Sequence, residues 1–165
     1  MTAMADELSA PEVLQIAMRI EQNGVRFYTT AARLVDDPKA SRLLGQLAQW
    51  EQNHVKVFSD MQDRLSQRGW ERGTFEPRRI EVSDAQVMAG LAVFGIQPNP
   101  WPELTGKETR QDILSFALKK EKDTVTFYTG LKGFVPVPED QEIIDQVLQE
   151  ETHHVRILTD ALNQG

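Results

Sequence analysis

Residues 46–55 read QLAQWEQNHV and residues 146–155 read QVLQEETHHV, so a Glu-x-x-His motif recurs after 100 residues. A second pair of segments repeats at the same offset: residues 17–29 read AMRIEQNGVRFYT, and residues 117–129 read ALKKEKDTVTFYT. Each repeat therefore contains a glutamate in its first segment and a Glu-x-x-His in its second. Self-similarity at a fixed offset is typical of an internal duplication, and the duplicated unit here is a pair of helices.

The residues at the matched polar positions are the candidate ligands of a metal site. They are Glu21, Glu51, His54, Glu121, Glu151 and His154, and they include two of the three histidines of the chain. Residues three apart lie on the same face of an α-helix. Each candidate also falls in an apolar stripe with steps of three and four residues, which indicates a buried helical face. Four carboxylates and two imidazoles at this spacing form the ligand pattern of two-metal sites in helical bundles.

Composition and charge indicate a soluble globular protein and exclude several classes of function. The 165 residues are expected to form one domain, residues 1–165, and the net charge of −7 argues against a nucleic-acid partner. The absence of cysteine excludes disulfides, thiolate zinc sites and iron–sulfur clusters. The acidic N-terminus does not resemble a signal peptide, and the longest apolar run, residues 87–96, is too short to span a bilayer. We therefore expect a cytoplasmic protein with no membrane partner.

The sequence predicts an all-α fold of four long helices in two hairpins. Helix-start and helix-stop residues place the helices at residues 9–36, 38–67, 107–132 and 138–163. Ser9 is the predicted cap of the first helix, Asp37 caps the second, and Thr105 with Glu108 predicts a capping box near the start of the third. Short links make the helices of each hairpin antiparallel. The long crossover, residues 68–106, contains a short helix candidate at residues 83–94 and brings the second hairpin to face the first.

Electrostatics favours metal ions at the centre of such a bundle. An unpaired ionised carboxylate on a core face is costly, and two divalent cations would cancel the charge of four. Carboxylate-rich groups with one imidazole per metal suit iron(II) or manganese(II), and zinc would also bind. We therefore expect two metal ions per chain. In this interpretation Glu21 and Glu121 are terminal ligands, Glu51 and Glu151 are bridging ligands, and His54 and His154 each bind one metal.

Two tyrosines and one glutamate are candidate neighbours of these ligands. Tyr28 and Tyr128 each lie seven residues after a ligand glutamate, and they are either core side chains or hydrogen-bond donors to the ligand carboxylates. Glu150 and His153 form a further Glu-x-x-His motif, one residue out of register. This register places them on the flank of the helix, beside the ligands. Trp50 is interpreted as a packing residue, and residues 87–96 as a cover over the bundle or a dimer interface.

These motifs carry a resemblance to a known family. From residue 12 onward the chain resembles the rubrerythrin group of ferritin-like di-iron carboxylate proteins. The resemblance rests on Glu21 with Phe27-Tyr28, on Glu51-Gln-Asn-His54, and on the matching Glu121 with Phe127-Tyr128 and Glu151-Thr-His-His154. It implies a ferritin-like four-helix bundle with two iron ions per chain, held by the six residues above. Manganese or zinc could substitute for iron, and we expect a homodimer.

The resemblance also implies a function, with two departures from the family pattern. Rubrerythrin-type proteins are non-haem di-iron oxidoreductases, so we expect peroxidase-type reduction of hydrogen peroxide or oxygen with electrons from a separate donor such as a rubredoxin. Typical members carry a rubredoxin domain with cysteine-bound iron, and this chain has no cysteine. Many carry another ligand glutamate where this chain has Thr124. The alternatives are a ferroxidase that stores iron in a large oligomer, and a metal-stabilised bundle without catalysis.

Overall fold

A computed structural model describes residues 10–67, 102–135 and 137–165 of the chain. Within these ranges the chain forms four long α-helices: α1 (Ala10–Leu34), α2 (Pro38–Gln67), α3 (Arg110–Leu131) and α4 (Pro138–Asn163), with a 3-10 turn at Lys132–Phe134. The predicted all-α architecture is confirmed. The predicted helix at residues 83–94, the apolar run at residues 87–96 and the predicted cap at Ser9 lie outside the described residues. None of the helices in the described ranges has the length and apolar character needed to cross a bilayer.

The four helices form two hairpins that face each other. Helix α1 packs against α2 and α3 against α4, while the hairpins meet through α1 with α3 and α2 with α4. Crossed contacts fix the directions across this interface, because Tyr28 contacts Glu121 whereas Tyr128 contacts Glu21. The two motif histidines contact glutamates of the opposite hairpin in the same crossed manner. The facing helices are therefore antiparallel, as expected for duplicated hairpins related by an approximate twofold axis.

Polar contacts at the two ends of the bundle show which ends the crossover must connect. Arg64, near the end of α2, donates to Asp140 at the start of α4 over 3.0 Å. At the opposite end Arg110, the first residue of α3, donates to the Ala161 carbonyl over 3.0 Å and to Asp37 over 3.4 Å. Helix α2 therefore finishes at one end of the bundle and α3 starts at the other. The predicted return of the chain along the bundle follows from this arrangement.

The predicted start of the third helix near Thr105 or Lys107 was wrong by several residues, since α3 begins at Arg110. Thr105 and Glu108 do form hydrogen bonds, including one of 2.9 Å from the Thr105 amide to Glu108 Oε1. These bonds stabilise a turn that precedes the helix. Gly106 has a φ of 84°, in the left-handed region that glycine adopts readily. A residue in that conformation cannot continue a right-handed helix, so α3 can begin only after it.

Side-chain hydrogen bonds cap the starts of α2 and α3. At α3 the Asp112 amide donates to Thr109 Oγ1 over 3.1 Å, and the Thr109 amide donates to Asp112 Oδ2 over 2.9 Å. This reciprocal pair is a capping box. At α2 the Ala40 amide donates to Asp37 Oδ2 over 3.0 Å, with Pro38 as the first helical residue. The tight turn into α2 is thus built as the sequence predicted.

Two apolar clusters fill the bundle on either side of a central polar layer. Each cluster contains residues from all four helices. One cluster consists of Val13, Leu14, Ile16, Ala17, Ile20, Phe58, Met61, Leu65, Phe127, Tyr128, Leu131, Val135, Ile144 and Val147. The other consists of Phe27, Tyr28, Ala31, Leu44, Leu47, Ile113, Leu114, Ala117 and Leu158. In every helix the candidate ligands fall between residues of one cluster and residues of the other.

We expect Thr109→Ala to lower the free energy of unfolding by about 1 kcal/mol, because the substitution removes the side-chain oxygen that caps α3. Thr126→Ala is the matched control, since Thr126 is an exposed residue in the interior of the same helix and alanine has the higher helix propensity. Urea denaturation of both variants measures the difference. Equal losses of stability in the two variants would contradict the assigned cap.

Candidate metal centre

The structure brings all six sequence-predicted ligands together in the central polar layer. Helices α1 and α3 each contribute one glutamate, and α2 and α4 each contribute a glutamate and a histidine. Every one of these side chains is buried, with at most 3% of its surface exposed. They form two groups, each able to hold a metal ion with its ligand atoms within 4.8 Å of one another: Glu21, Glu51, His54 and Glu151 in the first, and Glu51, Glu121, Glu151 and His154 in the second.

Two of the glutamates are shared between these groups. Glu51 and Glu151 belong to both, whereas Glu21 belongs only to the first group and Glu121 only to the second. A carboxylate with two oxygens can offer one to each of two neighbouring ions. The shared pair comes from α2 and α4, which face each other, and the unshared pair comes from α1 and α3. The shared and unshared glutamates are those that the sequence analysis interprets as bridging and terminal ligands, and these ligand roles stay a prediction.

Both motif histidines present the same ring atom to the carboxylates. His54 Nδ1 lies 2.8 Å from Glu151 Oε1 and 3.4 Å from Glu21 Oε2. His154 Nδ1 lies 3.2 Å from Glu151 Oε2 and 3.3 Å from Glu51 Oε1. Each histidine therefore faces a different oxygen of Glu151. The two imidazole rings stack, with their centroids 5.7 Å apart, so the two groups lie side by side in the bundle.

Unsatisfied polar atoms test whether these residues fit a metal ion. Within the described residues, Glu21 Oε2, Glu51 Oε1, His54 Nδ1 and Glu151 Oε1 are buried and make no hydrogen bond. His54 Nδ1 and Glu151 Oε1 are close but lack the alignment of a hydrogen bond. Buried polar atoms in proteins are nearly always hydrogen-bonded. Three carboxylate oxygens and one imidazole nitrogen that converge without protein partners are a donor set that fits a divalent iron or manganese ion.

Burial and repulsion between neighbouring carboxylates suppress the ionisation of two glutamates in this layer, Glu51 and Glu121. Burial, reinforced by the negative charges of Glu151 and Glu21, raises the pKa of Glu51 well above its usual range. Burial and the charge of Glu151 raise the pKa of Glu121 to about 8. The pKa of Glu151 is lowered instead, because burial, which would raise it, is outweighed by the hydrogen bond with His154 and by the close His54 ring. Glu151 therefore carries negative charge in this layer, beside the two histidines that can balance it.

The histidines hold protons for the same electrostatic reason. Burial acts to lower the pKa of His54, but the close carboxylates of Glu151 and Glu21 overcome it and raise the pKa to about 12. For His154 the opposing effect of burial is overcome by Glu121 and Glu151, which raise the pKa to about 9. In metal-free protein the layer thus balances its charge with protons on imidazole and carboxyl groups. Metal ions compete for the same atoms, because a ligand must lose its proton to bind.

Two buried tyrosines hold the unshared glutamates from the opposite hairpin. The Tyr28 hydroxyl donates to Glu121 Oε1, and the Tyr128 hydroxyl donates to Glu21 Oε1. Burial and the nearby carboxylates raise the pKa of both tyrosines well above 10.0, so both remain protonated donors. Each tyrosine is both a core side chain and a hydrogen-bond donor, since it belongs to an apolar cluster and also contacts a candidate ligand. In Glu21, one oxygen is held by the tyrosine while the other has no hydrogen bond.

Different residues lie beside the two histidine rings. Glu150 Oε2 is 2.8 Å from His54 Nε2, the ring nitrogen that points away from the carboxylates. Trp50 stacks on His154 with the ring centroids 5.1 Å apart and the planes 11° from parallel. Its ring centroid is also 6.3 Å from that of His153. The sequence placed Glu150 on the flank of the helix, but its histidine partner in the other hairpin was missed, as was the stacking of Trp50 on a candidate ligand.

Thr124 is buried, and its hydroxyl is directed at its own helix. Its hydroxyl donates to the Lys120 carbonyl over 2.9 Å, a common arrangement for threonine within a helix. The side chain is 5% exposed. The Thr124 hydroxyl therefore has a hydrogen-bond partner within its own helix.

Comparison with known proteins supports the architecture of the bundle. No protein-family model matches the chain, and no curated protein matches it. A solved structure from Thermotoga maritima, described as a candidate ferritin-like diiron-carboxylate protein, is similar with a TM-score of 0.66. The similarity covers 94% of this chain and 95% of that chain, at 18% sequence identity. Such a likeness shows the fold, and the predicted ferritin-like four-helix bundle is confirmed.

We expect the thermal midpoint of metal-free protein to fall as pH rises from about 5 to 9. The folded-state pKa of Glu121, about 8, lies above its ordinary value of 4.5, so its stabilising contribution is complete below that value and is lost as pH approaches 8. His154 adds a further loss between its ordinary 6.5 and about 9. Thermal unfolding of chelator-treated protein across this pH range measures the trend.

Metal-free Glu121→Gln is the control, because glutamine cannot titrate and should flatten the lower part of this pH dependence. Protein loaded with manganese(II) should also resist the loss above neutral pH, since metal binding replaces the protons. A midpoint for metal-free wild type that stays constant or rises between pH 5 and 9 would contradict the described electrostatics.

Proposed function

We propose that this protein is a non-haem di-iron redox protein of rubrerythrin type, which reduces hydrogen peroxide or oxygen with electrons from a separate donor. The observation that carries the proposal is the pair of buried ligand groups that share Glu51 and Glu151. In the proposal these two glutamates bridge the ions, Glu21 and Glu121 are terminal ligands, and each motif histidine binds one ion. The similar Thermotoga maritima protein, described as a candidate diiron-carboxylate protein, supports the same choice of metal.

Charge balance supports a pair of divalent ions. Four glutamate carboxylates carry four negative charges when ionised, and two divalent cations cancel them without help from other residues. Because the carboxylates are buried, uncompensated charge would be strongly unfavourable. Oxygen ligands with one imidazole per ion also favour iron(II) or manganese(II) over softer metals.

The chain prepares these groups for binding before any ion arrives. Tyr128 holds one oxygen of Glu21 and leaves the other oxygen facing the first group. Tyr28 holds Glu121 in the same way from the other hairpin. The two apolar clusters lie above and below the layer and exclude water from it. Two iron(II) ions bound there would supply one electron each, which is the number that reduction of a peroxide requires.

Re-reduction is proposed to depend on a partner protein. The 165 residues contain no cysteine, so none of them can hold a rubredoxin-type iron or an iron–sulfur cluster. The ligand groups are buried, and the residues beside them that approach the surface are Glu150, with a side chain 59% exposed, and the half-buried Trp50. We propose a small electron-transfer protein of the rubredoxin type as the donor.

Metal stoichiometry is the first test of this proposal. Wild-type protein loaded anaerobically should hold about two iron ions per chain by elemental analysis. Glu121→Ala should lose about one of them, because it removes the unshared carboxylate of the second group. Thr124→Ala, an alteration in the same helix, should still hold two, since that hydroxyl bonds only to backbone. Wild-type protein that holds one ion or none would contradict the proposal.

Reaction with peroxide is the second test. Protein loaded with iron(II) should show one rapid oxidation phase per site in stopped-flow absorbance after mixing with hydrogen peroxide. Peroxide consumption should continue only when a reduced rubredoxin-type donor is added, because these 165 residues contain no cysteine that could bind a relay iron. Glu121→Ala should lose the rapid phase. A faster reaction with oxygen, followed by uptake of many irons per chain in a large assembly, would favour the ferroxidase and storage alternative instead.

A further inference from the structure

We infer that the two metal positions are inequivalent, and that Glu150 is a positioning residue which makes the position of Glu21 and His54 the tighter one, filled first. The inference rests on the proposed function, since it concerns the order in which the same site takes up its ions. It assigns to Glu150, which is not a member of either ligand group, a role that its counterpart in the other hairpin cannot perform.

The internal duplication provides the comparison. Each residue of the first hairpin has a counterpart 100 positions later, and the six candidate ligands match their counterparts in type. The residues that precede the two Glu-x-x-His motifs do not match, because Trp50 in the first hairpin corresponds to Glu150 in the second. Each of these residues lies against the motif histidine of the opposite hairpin. The duplicated site is therefore symmetric in its ligands and asymmetric in what supports them.

Glu150 prepares His54 to bind a metal through Nδ1. Its Oε2 is 2.8 Å from His54 Nε2, while His54 Nδ1 faces the carboxylates. A carboxylate that accepts the Nε2 proton selects the tautomer whose Nδ1 lone pair is free. The same hydrogen bond fixes the ring orientation and increases the basicity of the ligand nitrogen. Because Glu150 belongs to α4 and His54 to α2, the contact also sets the distance between the two hairpins at this point.

Trp50 supports His154 differently. Its indole stacks on the imidazole with the planes 11° from parallel, which orients the ring by packing. The only polar group of an indole is an N–H donor, so it cannot accept a proton from imidazole. It also carries no negative charge that would increase the affinity of the neighbouring nitrogen for a cation. Trp50 therefore does not give the position of Glu121 and His154 the electrostatic support that Glu150 gives to the position of Glu21 and His54.

The unsatisfied atoms of the site show the same asymmetry. The four atoms that lack a hydrogen bond in this layer come from the four members of the first group, one from each residue. Two of these atoms, on Glu51 and Glu151, belong to the second group as well, and the tyrosine contacts of Glu21 and Glu121 are alike. The difference lies in the histidines, because His154 Nδ1 bonds to Glu151 over 3.2 Å whereas His54 Nδ1 makes no hydrogen bond. The histidine nitrogen of the first group is therefore available to an ion, and that of the second group must first give up its bond to Glu151.

Manganese(II) titration of metal-free protein tests the inference without relying on activity. In the His154→Ala variant, only the position of Glu21 keeps its histidine. In the His54→Ala variant, only the position of Glu121 keeps its histidine. Isothermal titration calorimetry should show that His154→Ala binds manganese(II) at least about tenfold more tightly than His54→Ala. Adding Glu150→Gln should weaken binding about tenfold in the His154→Ala protein, the scale on which second-layer partners act, and should leave the His54→Ala protein unchanged.

Glu142→Gln is the matched control, because Glu142 is an exposed glutamate of the same helix and the substitution removes the same charge. Trp50→Glu supplies the missing acceptor to the second position and should tighten manganese(II) binding in the His54→Ala protein. A merely structural role for Glu150 would not produce that gain. Thermal unfolding of each variant confirms that the bundle is retained.

The outcomes separate this inference from the proposed function. Wild-type protein that binds no manganese(II) would contradict the proposed function itself. Wild-type protein that binds two ions, with Glu150→Gln no weaker than Glu142→Gln, would overturn the inference alone. Equal affinities of the two single-histidine variants would overturn it as well. If either single-histidine variant binds no ion, manganese(II) titrations of wild type and of Glu150→Gln are compared instead. The inference is then supported only if Glu150→Gln weakens the tighter of the two binding steps and leaves the weaker step unchanged.

Discussion

Four glutamates buried in one layer of a helical bundle are the constraint on which the rest of this structure depends. Their carboxylates lie close enough that full ionisation would be strongly unfavourable in the absence of positive charge. The chain responds with protons, as the raised pKa values of Glu121 and His154 show. Two divalent cations bound to the same oxygen and nitrogen atoms would cancel the charge of all four carboxylates, which protons on only some of these groups do not. The charge of the four buried carboxylates therefore governs both ion binding at the site and the stability of the bundle.

The fold places that layer where its charge can be controlled. Every helix contributes apolar residues to a cluster on each side of the layer, so that water is excluded from above and below. The antiparallel approach of the two hairpins produces crossed contacts, in which each tyrosine and each motif histidine of one hairpin contacts a glutamate of the other. Neither hairpin could complete the site alone. The duplication thus explains both the pairing of ligands and the need for a crossover that joins opposite ends of the bundle.

Much of this arrangement was predictable from sequence, and the remainder depends on distances that sequence does not contain. The Glu-x-x-His spacing places Glu51 and His54 on one helical face, and the offset of 100 residues identifies their counterparts. The start of α3 was misplaced because two capping patterns follow one another: Thr105 with Glu108 forms a turn, and Thr109 with Asp112 forms the capping box of the helix. The partner of Glu150 was not predictable. It depends on how far one hairpin is displaced along the other, and no spacing within a hairpin records that displacement.

The central claim is that two metal ions share Glu51 and Glu151 at the middle of the bundle. Anomalous diffraction from crystals grown with manganese(II) tests it most directly. The account predicts two anomalous peaks in the central layer, both in contact with Glu51 and Glu151, with His54 binding one ion and His154 the other. A single peak in that layer, or peaks confined to the surface of the protein, would contradict it.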